Sequence, residues 1–129
     1  MDKRVFFLCK YITENLQQEF LVERLAKKIK LSPSHFRILF KKEIGLSPSR
    51  YIINLRLEEA RKLLETEDFL SVKQILLRVG FNEQSHFTRE FKIKYGVTPK
   101  EHRNQKWAEE ESKLKTSHLF KIKINESSF

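Results

Sequence analysis

Apolar residues recur along this chain at the spacing of one face of a helix. Between residues 33 and 44, Leu39 and Phe40 lie three and four residues after Phe36, and Ile44 lies four residues after Phe40, so we expect all four to point inward from a helix. Similar blocks, separated by short polar breaks, occupy most of the chain. They predict an all-α fold of about seven helices, near residues 4–17, 21–29, 33–44, 48–65, 72–79, 83–95 and 99–104.

The ends of several predicted helices carry capping signals. Gly45 and Gly96 stand where a left-handed residue would end a helix. Ser71 and Gln74 have capping-box spacing, in which each side chain bonds the other's backbone N–H. All three prolines follow a hydroxyl residue, which places an N-cap acceptor before a proline at the first helical position: Ser32–Pro33, Ser47–Pro48 and Thr98–Pro99.

Two parts of the chain are near-copies of one another. At an offset of 51 residues, Ser34-His35-Phe36, Phe40-Lys41, Gly45 and Pro48 align with Ser85-His86-Phe87, Phe91-Lys92, Gly96 and Pro99. Each copy contains a short helix, a tight turn and a longer helix, the plan of a helix-turn-helix. We therefore expect an N-terminal helix-turn-helix subdomain (1–47), a linker helix (48–65), a C-terminal helix-turn-helix subdomain (66–103) and an extension (104–129).

The predicted linker helix is long enough to act as a rigid spacer. Its apolar stripe lets both subdomains pack on it, and comprises Ile53, Leu57, Ala60 and Leu64. Eighteen residues at about 1.5 Å each give roughly 27 Å, somewhat less than the roughly 34 Å of one turn of B-DNA. Two recognition helices held by it could enter successive major grooves, and the shortfall suggests a bend of the DNA toward the protein.

The charge of the chain points to a polyanionic partner. Its 129 residues contain 26 Lys and Arg against 17 Asp and Glu, a net charge of +9, and nearly all of the excess lies before residue 104. Such a field favours nucleic acid. Sequence-specific DNA binding is the first interpretation; binding of RNA, or of an acidic protein surface by a basic helical module, remains open because all three are electrostatic.

Other functional classes find little support in the residues. The lone Cys9 cannot form an internal disulfide or a zinc cluster, and its apolar neighbours suggest a core position. His35 and His86 have no cysteine or carboxylate at ligand spacing, and no catalytic constellation or phosphate loop is apparent. The N-terminal apolar run is too short for a signal peptide or a membrane span. We therefore expect a cytoplasmic protein that is not an enzyme and uses no metal or cofactor.

The motifs taken together resemble the AraC/XylS family of bacterial transcription regulators. The likeness covers about residues 4–103 and is strongest at Ile75-Leu76, Gly80-Phe81, Ser85-His86-Phe87, Arg89, Phe91-Lys92, Gly96, Thr98-Pro99 and Arg103. It implies two helix-turn-helix subdomains that bind double-stranded DNA as a monomer, usually activating transcription through RNA polymerase. The chain has no room for the effector or dimerisation domain of many relatives, so it resembles a short stand-alone regulator or an excised domain.

Three residues depart from the family pattern. Lys30 stands where the first turn often has glycine, Leu76 where the second unit favours alanine, and His102 where an aromatic residue usually precedes Arg103. Leu76 is expected to touch the partner helix, where a larger side chain changes the crossing angle.

The resemblance and the side-chain chemistry together select candidate DNA contacts. The base-facing positions are Ser34, Arg37, Ile38, Gln84, Ser85, Thr88 and Arg89. Arginine can bind guanine bidentately, glutamine can bind adenine, and an isoleucine can contact a thymine methyl group. The alternative is that Arg37 and Arg89 contact only phosphate or solvent, or that Arg89 orients its neighbours. The phosphate-facing candidates, with the N-termini of the helices at 33 and 83, are Ser32, Lys41, Arg50, Asn82, Lys92 and Lys94.

The C-terminal extension lies outside the resemblance. Residues 104–115 could prolong the last helix, whereas residues 119–124 alternate between apolar and basic side chains in the manner of a strand. The extension could be disordered, cover the body of the protein or contact polymerase.

Overall fold

A computed structural model describes residues 1–117 of the chain, and within them the regular structure is helical. The helices, in chain order, are α1 (Lys3–Glu14), α2 (Val22–Lys28), α3 (Pro33–Ile44), α4 (Pro48–Thr66), α5 (Val72–Arg78), α6 (Gln84–Tyr95) and α7 (Pro99–Thr116). The all-α fold with two helix-turn-helix units on a long linker helix is thereby confirmed. The alternating segment 119–124 lies outside the described residues.

The predicted capping residues occupy the helix ends. Ser32, Ser47 and Thr98 each accept a hydrogen bond from the backbone N–H three residues on, at 3.2, 3.2 and 3.1 Å. Gly45 and Gly96 end α3 and α6 with φ of 87° and 81°. Complete capping boxes open α5 and α7. Local sequence therefore determines where most of these helices begin and end.

Two helices end more than two residues away from the predicted position. The predicted first helix runs to residue 17, but α1 ends at Glu14, because the Asn15 side chain donates to the Tyr11 carbonyl and its backbone N–H donates to Ile12. The last helix continues past residue 104 to Thr116, as its polar composition allowed. The Lys115 and Glu111 side chains, 3.1 Å apart and one turn from each other, stabilise its exposed second half.

The core consists of two hydrophobic clusters that meet on α4. The first includes Phe36 and Phe40, whose ring centroids lie 5.6 Å apart, together with apolar residues of α1, α2 and the start of α4. The second contains Phe87 and Phe91, 5.8 Å apart, with residues of α5 and the later part of α4. The repeated phenylalanines thus serve packing, as their spacing predicted.

Helix α7 packs against α4 and secures its C-terminal end. The Arg103 guanidinium donates to the carbonyl oxygens of Leu64 at 3.4 Å and Glu67 at 3.1 Å. These carbonyls belong to the last turn of α4, where backbone acceptors have no partner within the helix. Arg103 therefore caps the C-terminal end of the linker helix and ties α7 to it.

Candidate nucleic-acid interface

Helix α3 presents an exposed polar and basic face opposite its buried phenylalanines. Ser34, Arg37 and Lys41 are exposed on this face. Ile38 lies beside them with 69% of its surface accessible, so this polar face also offers an apolar side chain for contact. The candidate base-contacting residues of the first unit are therefore all available to a partner.

Helix α6 presents the equivalent face in the second unit. The side chains of Gln84, Ser85, Arg89 and Lys92 are exposed, while Thr88 is half-buried and offers less of its surface. The sequence-based assignment missed Ile93, one turn beyond Arg89, which is 74% exposed. The repeat could have revealed it, because the equivalent position of α3 is Lys42, so an isoleucine at position 93 is not part of the shared buried pattern.

The N-termini of the two recognition helices differ in how they are capped. The Ser32 hydroxyl oxygen accepts the N–H of His35, so this candidate phosphate contact already caps α3. Helix α6 follows Glu83, which makes no side-chain cap bond within the described part of the chain, and the neighbouring Asn82 is exposed. The first-turn N–H groups of α6 are therefore the more open of the two to an external acceptor.

Two of the candidate phosphate contacts take part in ion pairs. The Arg50 guanidinium lies 2.7 Å from a carboxylate oxygen of Glu90, and the Lys94 ammonium lies 3.8 Å from Glu58. The Arg50 hydrogen bond holds the pKa of the Glu90 carboxyl below its ordinary value. Glu90 is therefore charged at neutral pH, and sequence reasoning did not single it out.

Arg56 joins the two units at a second place. Its guanidinium donates to the carbonyl oxygens of Leu16, at 3.1 Å, and Gln18, at 2.7 Å, so α4 is tied to the loop between α1 and α2. Gly80, in the turn before α6, lies against the same group: a Cβ there would be 2.5 Å from the Arg56 Nε and would clash with the Leu16 carbonyl. Burial lowers the pKa of Arg56 but leaves the guanidinium charged.

Two further observations concern the described residues alone. Within residues 1–117, none of the helices combines the length and apolar character needed to cross a membrane. The same part of the chain contains no cluster of histidine, cysteine and carboxylate side chains able to hold a metal ion.

Comparison with known proteins identifies the family. Residues 25–105 match the model of a family described as a helix-turn-helix domain. The arabinose operon regulatory protein of Escherichia coli is 34% identical over 104 residues, which make up 80% of this chain and 35% of that protein. The chain spans about a third of the length of the curated relatives that it matches.

Solved structures agree with this match. The DNA-binding domain of the global transcriptional factor AdpA, solved in complex with a target DNA, superposes with a TM-score of 0.79 at 28% identity, covering 82% of this chain and 95% of that one. A regulator of AraC-type from Chromobacterium violaceum gives a TM-score of 0.73 at 29% identity, covering 81% and 92%. These relatives are named as regulators of transcription and not as enzymes, in line with expectation. With the family match and the paired helix-turn-helix fold in agreement, the chain belongs to the AraC-type helix-turn-helix family of transcriptional regulators.

Proposed function

We propose that this chain binds double-stranded DNA sequence-specifically as a monomer and regulates transcription in the cytoplasm, with α3 and α6 in successive major grooves. The observation that carries the proposal is the pair of exposed, basic faces on equivalent helices of two similar units that share α4. The positive charge of the chain supplies attraction to phosphate. The division into subdomains 1–47 and 66–103 about the linker 48–65 belongs to the same proposal.

Base recognition falls to the exposed faces of the two helices. In α3, Arg37 is suited to guanine and Ile38 to a thymine methyl group, with Ser34 beside them. In α6, Gln84 is suited to adenine and Arg89 to guanine, with Ser85 and Thr88 as smaller contacts. Each good bidentate pair contributes about 1–3 kcal/mol of discrimination between bases.

Phosphate contacts then hold the protein in register. Lys41 and Lys92 are exposed at equivalent positions of α3 and α6, and Ser32 and Asn82 flank the starts of those helices. Glu58 lies 3.8 Å from the Lys94 ammonium and competes with a phosphate for it, which offsets part of the contribution of Lys94. Arg50 faces the same competition from Glu90, at a shorter distance.

The proposal is tested by selection from a pool of random duplexes. A regulator with two recognition helices enriches a site with two motifs about one helical turn apart. Flat enrichment contradicts the proposal and favours the alternative partners, RNA or an acidic protein surface. A single enriched motif would mean that only one helix reads bases.

Substitution of neighbouring residues on α3 separates base reading from phosphate binding. Arg37→Ala should relax the preference at one or two base pairs of one motif and cost about 1–3 kcal/mol on the selected site, because a guanine contact is lost. Lys41→Ala should weaken binding to all sequences alike. It should also reduce the slope of log affinity against log salt concentration by about the amount that one phosphate contact contributes. Binding to selected and scrambled duplexes at several salt concentrations measures both effects. Equal effects of the two variants would contradict the assignment of the face.

We further propose that the DNA-bound protein activates transcription by contacting RNA polymerase. In vitro transcription from a promoter that carries the selected site tests this directly. Increased transcript supports activation, and decreased transcript assigns the protein as a repressor.

A further inference from the structure

The second recognition helix is held against the rest of the molecule by charged contacts. Glu90, in the middle of α6, accepts a hydrogen bond of 2.7 Å from Arg50, which lies in the first turn of α4. The other oxygen of Glu90 is 4.0 Å from His86 Nε2. The residues of the Arg50–Glu90 pair are 40 positions apart in the chain, so the pair is a tertiary contact and not part of one helix.

Arg50 belongs structurally to the first unit. Its backbone N–H donates to Ser47, the cap that begins α4 directly after α3, and its neighbours Tyr51 and Ile52 pack in the first hydrophobic cluster. Glu90 is flanked by Phe87 and Phe91 of the second cluster. The ion pair therefore bridges the two units on the helix that carries the candidate base contacts of the second.

The low exposure of Glu90 favours the persistence of the pair. The Glu90 side chain is only 13% exposed, whereas that of Arg50 is 46% exposed. A carboxylate that is largely removed from water is strongly disfavoured without a partner, so the pair is harder to break than an ordinary surface salt bridge. The contact of Arg56 with Leu16 and Gly80 joins the units at another place. Contacts at two places restrict rotation of α6 about either one.

We propose that Glu90 and Arg50 are positioning residues that fix the orientation of α6 relative to α3, and thereby the half-site spacing that the protein accepts. This inference rests on the proposed function, because it concerns how two recognition helices are presented to one duplex. In this role Arg50 acts on DNA through Glu90 and α6, which is distinct from the phosphate contact considered above. The two roles make opposite predictions for removal of Glu90.

The experiment measures affinity as a function of half-site spacing. Duplexes carry the two selected motifs at the selected separation or with one or two base pairs inserted or deleted, and further duplexes carry each motif alone. The proteins are wild type, Glu90→Gln, Arg50→Gln and the exchanged pair Arg50→Glu/Glu90→Arg. Glu111→Gln is the matched control, since it removes the same charge and breaks an ion pair of 3.1 Å with Lys115 within α7.

Wild type and the control should prefer one spacing, and both single variants should lose about threefold to tenfold of that preference, the range that a typical net hydrogen bond supplies. For Glu90→Gln, affinity for each isolated motif should change no more than for Glu111→Gln, which alters the net charge by the same amount. The exchanged pair should restore the spacing preference, although it removes any phosphate contact by Arg50. Thermal unfolding followed by circular dichroism confirms that each variant is folded, and the exchanged pair tests the inference even if one single variant is unstable.

Several results would overturn the inference. If Glu90→Gln binds more tightly than Glu111→Gln at every spacing and keeps the wild-type spacing preference, Glu90 merely competes with phosphate for Arg50. An unchanged spacing profile in both single variants would mean that the pair positions nothing. These results leave the proposed function intact, whereas a wild-type protein that selects no two-part site contradicts the proposed function itself.

Discussion

At the scale of single residues, the turns of the two units show how one backbone shape accepts different side chains. Lys30 and Gly80 occupy equivalent positions after α2 and α5, and both have positive φ, 59° and 106°. Glycine adopts this conformation without steric cost, whereas an L-residue does not. Gly80 has a second reason to be glycine, because Arg56 and the Leu16 carbonyl fill the space of a Cβ. Lys30 is exposed, which lets a side chain remain there at the cost of strain.

Lys30→Gly should therefore stabilise the protein. Relief of the left-handed backbone strain exceeds the added entropy of the unfolded chain, for a net gain of about 0.5–1 kcal/mol. Chemical denaturation of both proteins measures the difference. Lys62→Gly makes the same change at an exposed position in the interior of α4 and should instead cost about 1 kcal/mol. If Lys30→Gly is instead less stable than the wild type, the lysine side chain stabilises the folded protein by more than its backbone strain costs.

A departure at a second residue has a packing explanation. His102 replaces the aromatic residue usual before Arg103, and its ring lies edge-on to Phe91 with centroids 5.7 Å apart. Its Nε2 is also 3.4 Å from a carboxylate oxygen of Glu65 on α4. The imidazole therefore takes the place of the aromatic ring and adds a polar contact to the linker helix.

At the scale of helices, α1 is held at its N-terminus by a charged cap. The Asp2 carboxylate accepts the N–H of Arg4 at 2.8 Å and pairs with the Arg4 guanidinium at 2.9 Å. These contacts lower the pKa of Asp2 from 3.8 to about 2. A depressed pKa in the folded state means that the cap stabilises α1 fully above pH 3.8, and that this contribution is lost as the pH falls through about 2.

The Arg4 amide resonance should report this titration. Its NMR chemical shift, followed during acidification, should change with a midpoint near pH 2 and not near the ordinary value of 3.8. Asp2→Asn retains a cap acceptor but has no titrating group, so its Arg4 resonance should not show the transition. A midpoint near the ordinary value in the wild-type protein would mean that the Arg4 contacts do not persist in solution.

At the scale of the whole molecule, α4 is the helix on which both helix-turn-helix units pack. Its 19 residues span about 28 Å at about 1.5 Å per residue, close to the length expected from the sequence. Both hydrophobic clusters pack on it, and Arg50, Arg56 and Arg103 tie it to other elements. A spacer restrained in this way cannot stretch to the roughly 34 Å of a DNA turn.

The DNA should bend toward the protein to meet both helices. Shortening the near face of the duplex by about 6 Å at a radius of about 10 Å corresponds to a bend of about 30°. Circular-permutation gel shifts on the selected site measure the angle, with Arg37→Ala bound to the same duplexes as a comparison. A tightly bound but straight duplex would mean that α3 and α6 reach successive grooves by their tilt alone.

The sequence by itself determined much of this protein because the relevant signals are local. Ser32, Ser47, Thr98 and the two glycines that end α3 and α6 specify helix ends through bonds within a few residues, and the spacing of the phenylalanines specifies the buried faces. The repeat then predicted two equivalent units and their exposed faces. The length of α7 was left open because its polar composition gives no strong stop signal.

Only the tertiary structure decided how the units are joined. The Arg50–Glu90 pair and the contacts of Arg56 with Leu16 and Gly80 connect residues 24 to 40 positions apart, and no periodicity or capping rule encodes such contacts. Sequence reasoning placed Arg50 on phosphate because an exposed arginine near a helix start has that chemistry; the fold brings a carboxylate within 2.7 Å of it. A long charged side chain such as that of Arg50 pairs with whichever group the fold brings near it. For Arg50, the packing of α6 against α4 determines that group.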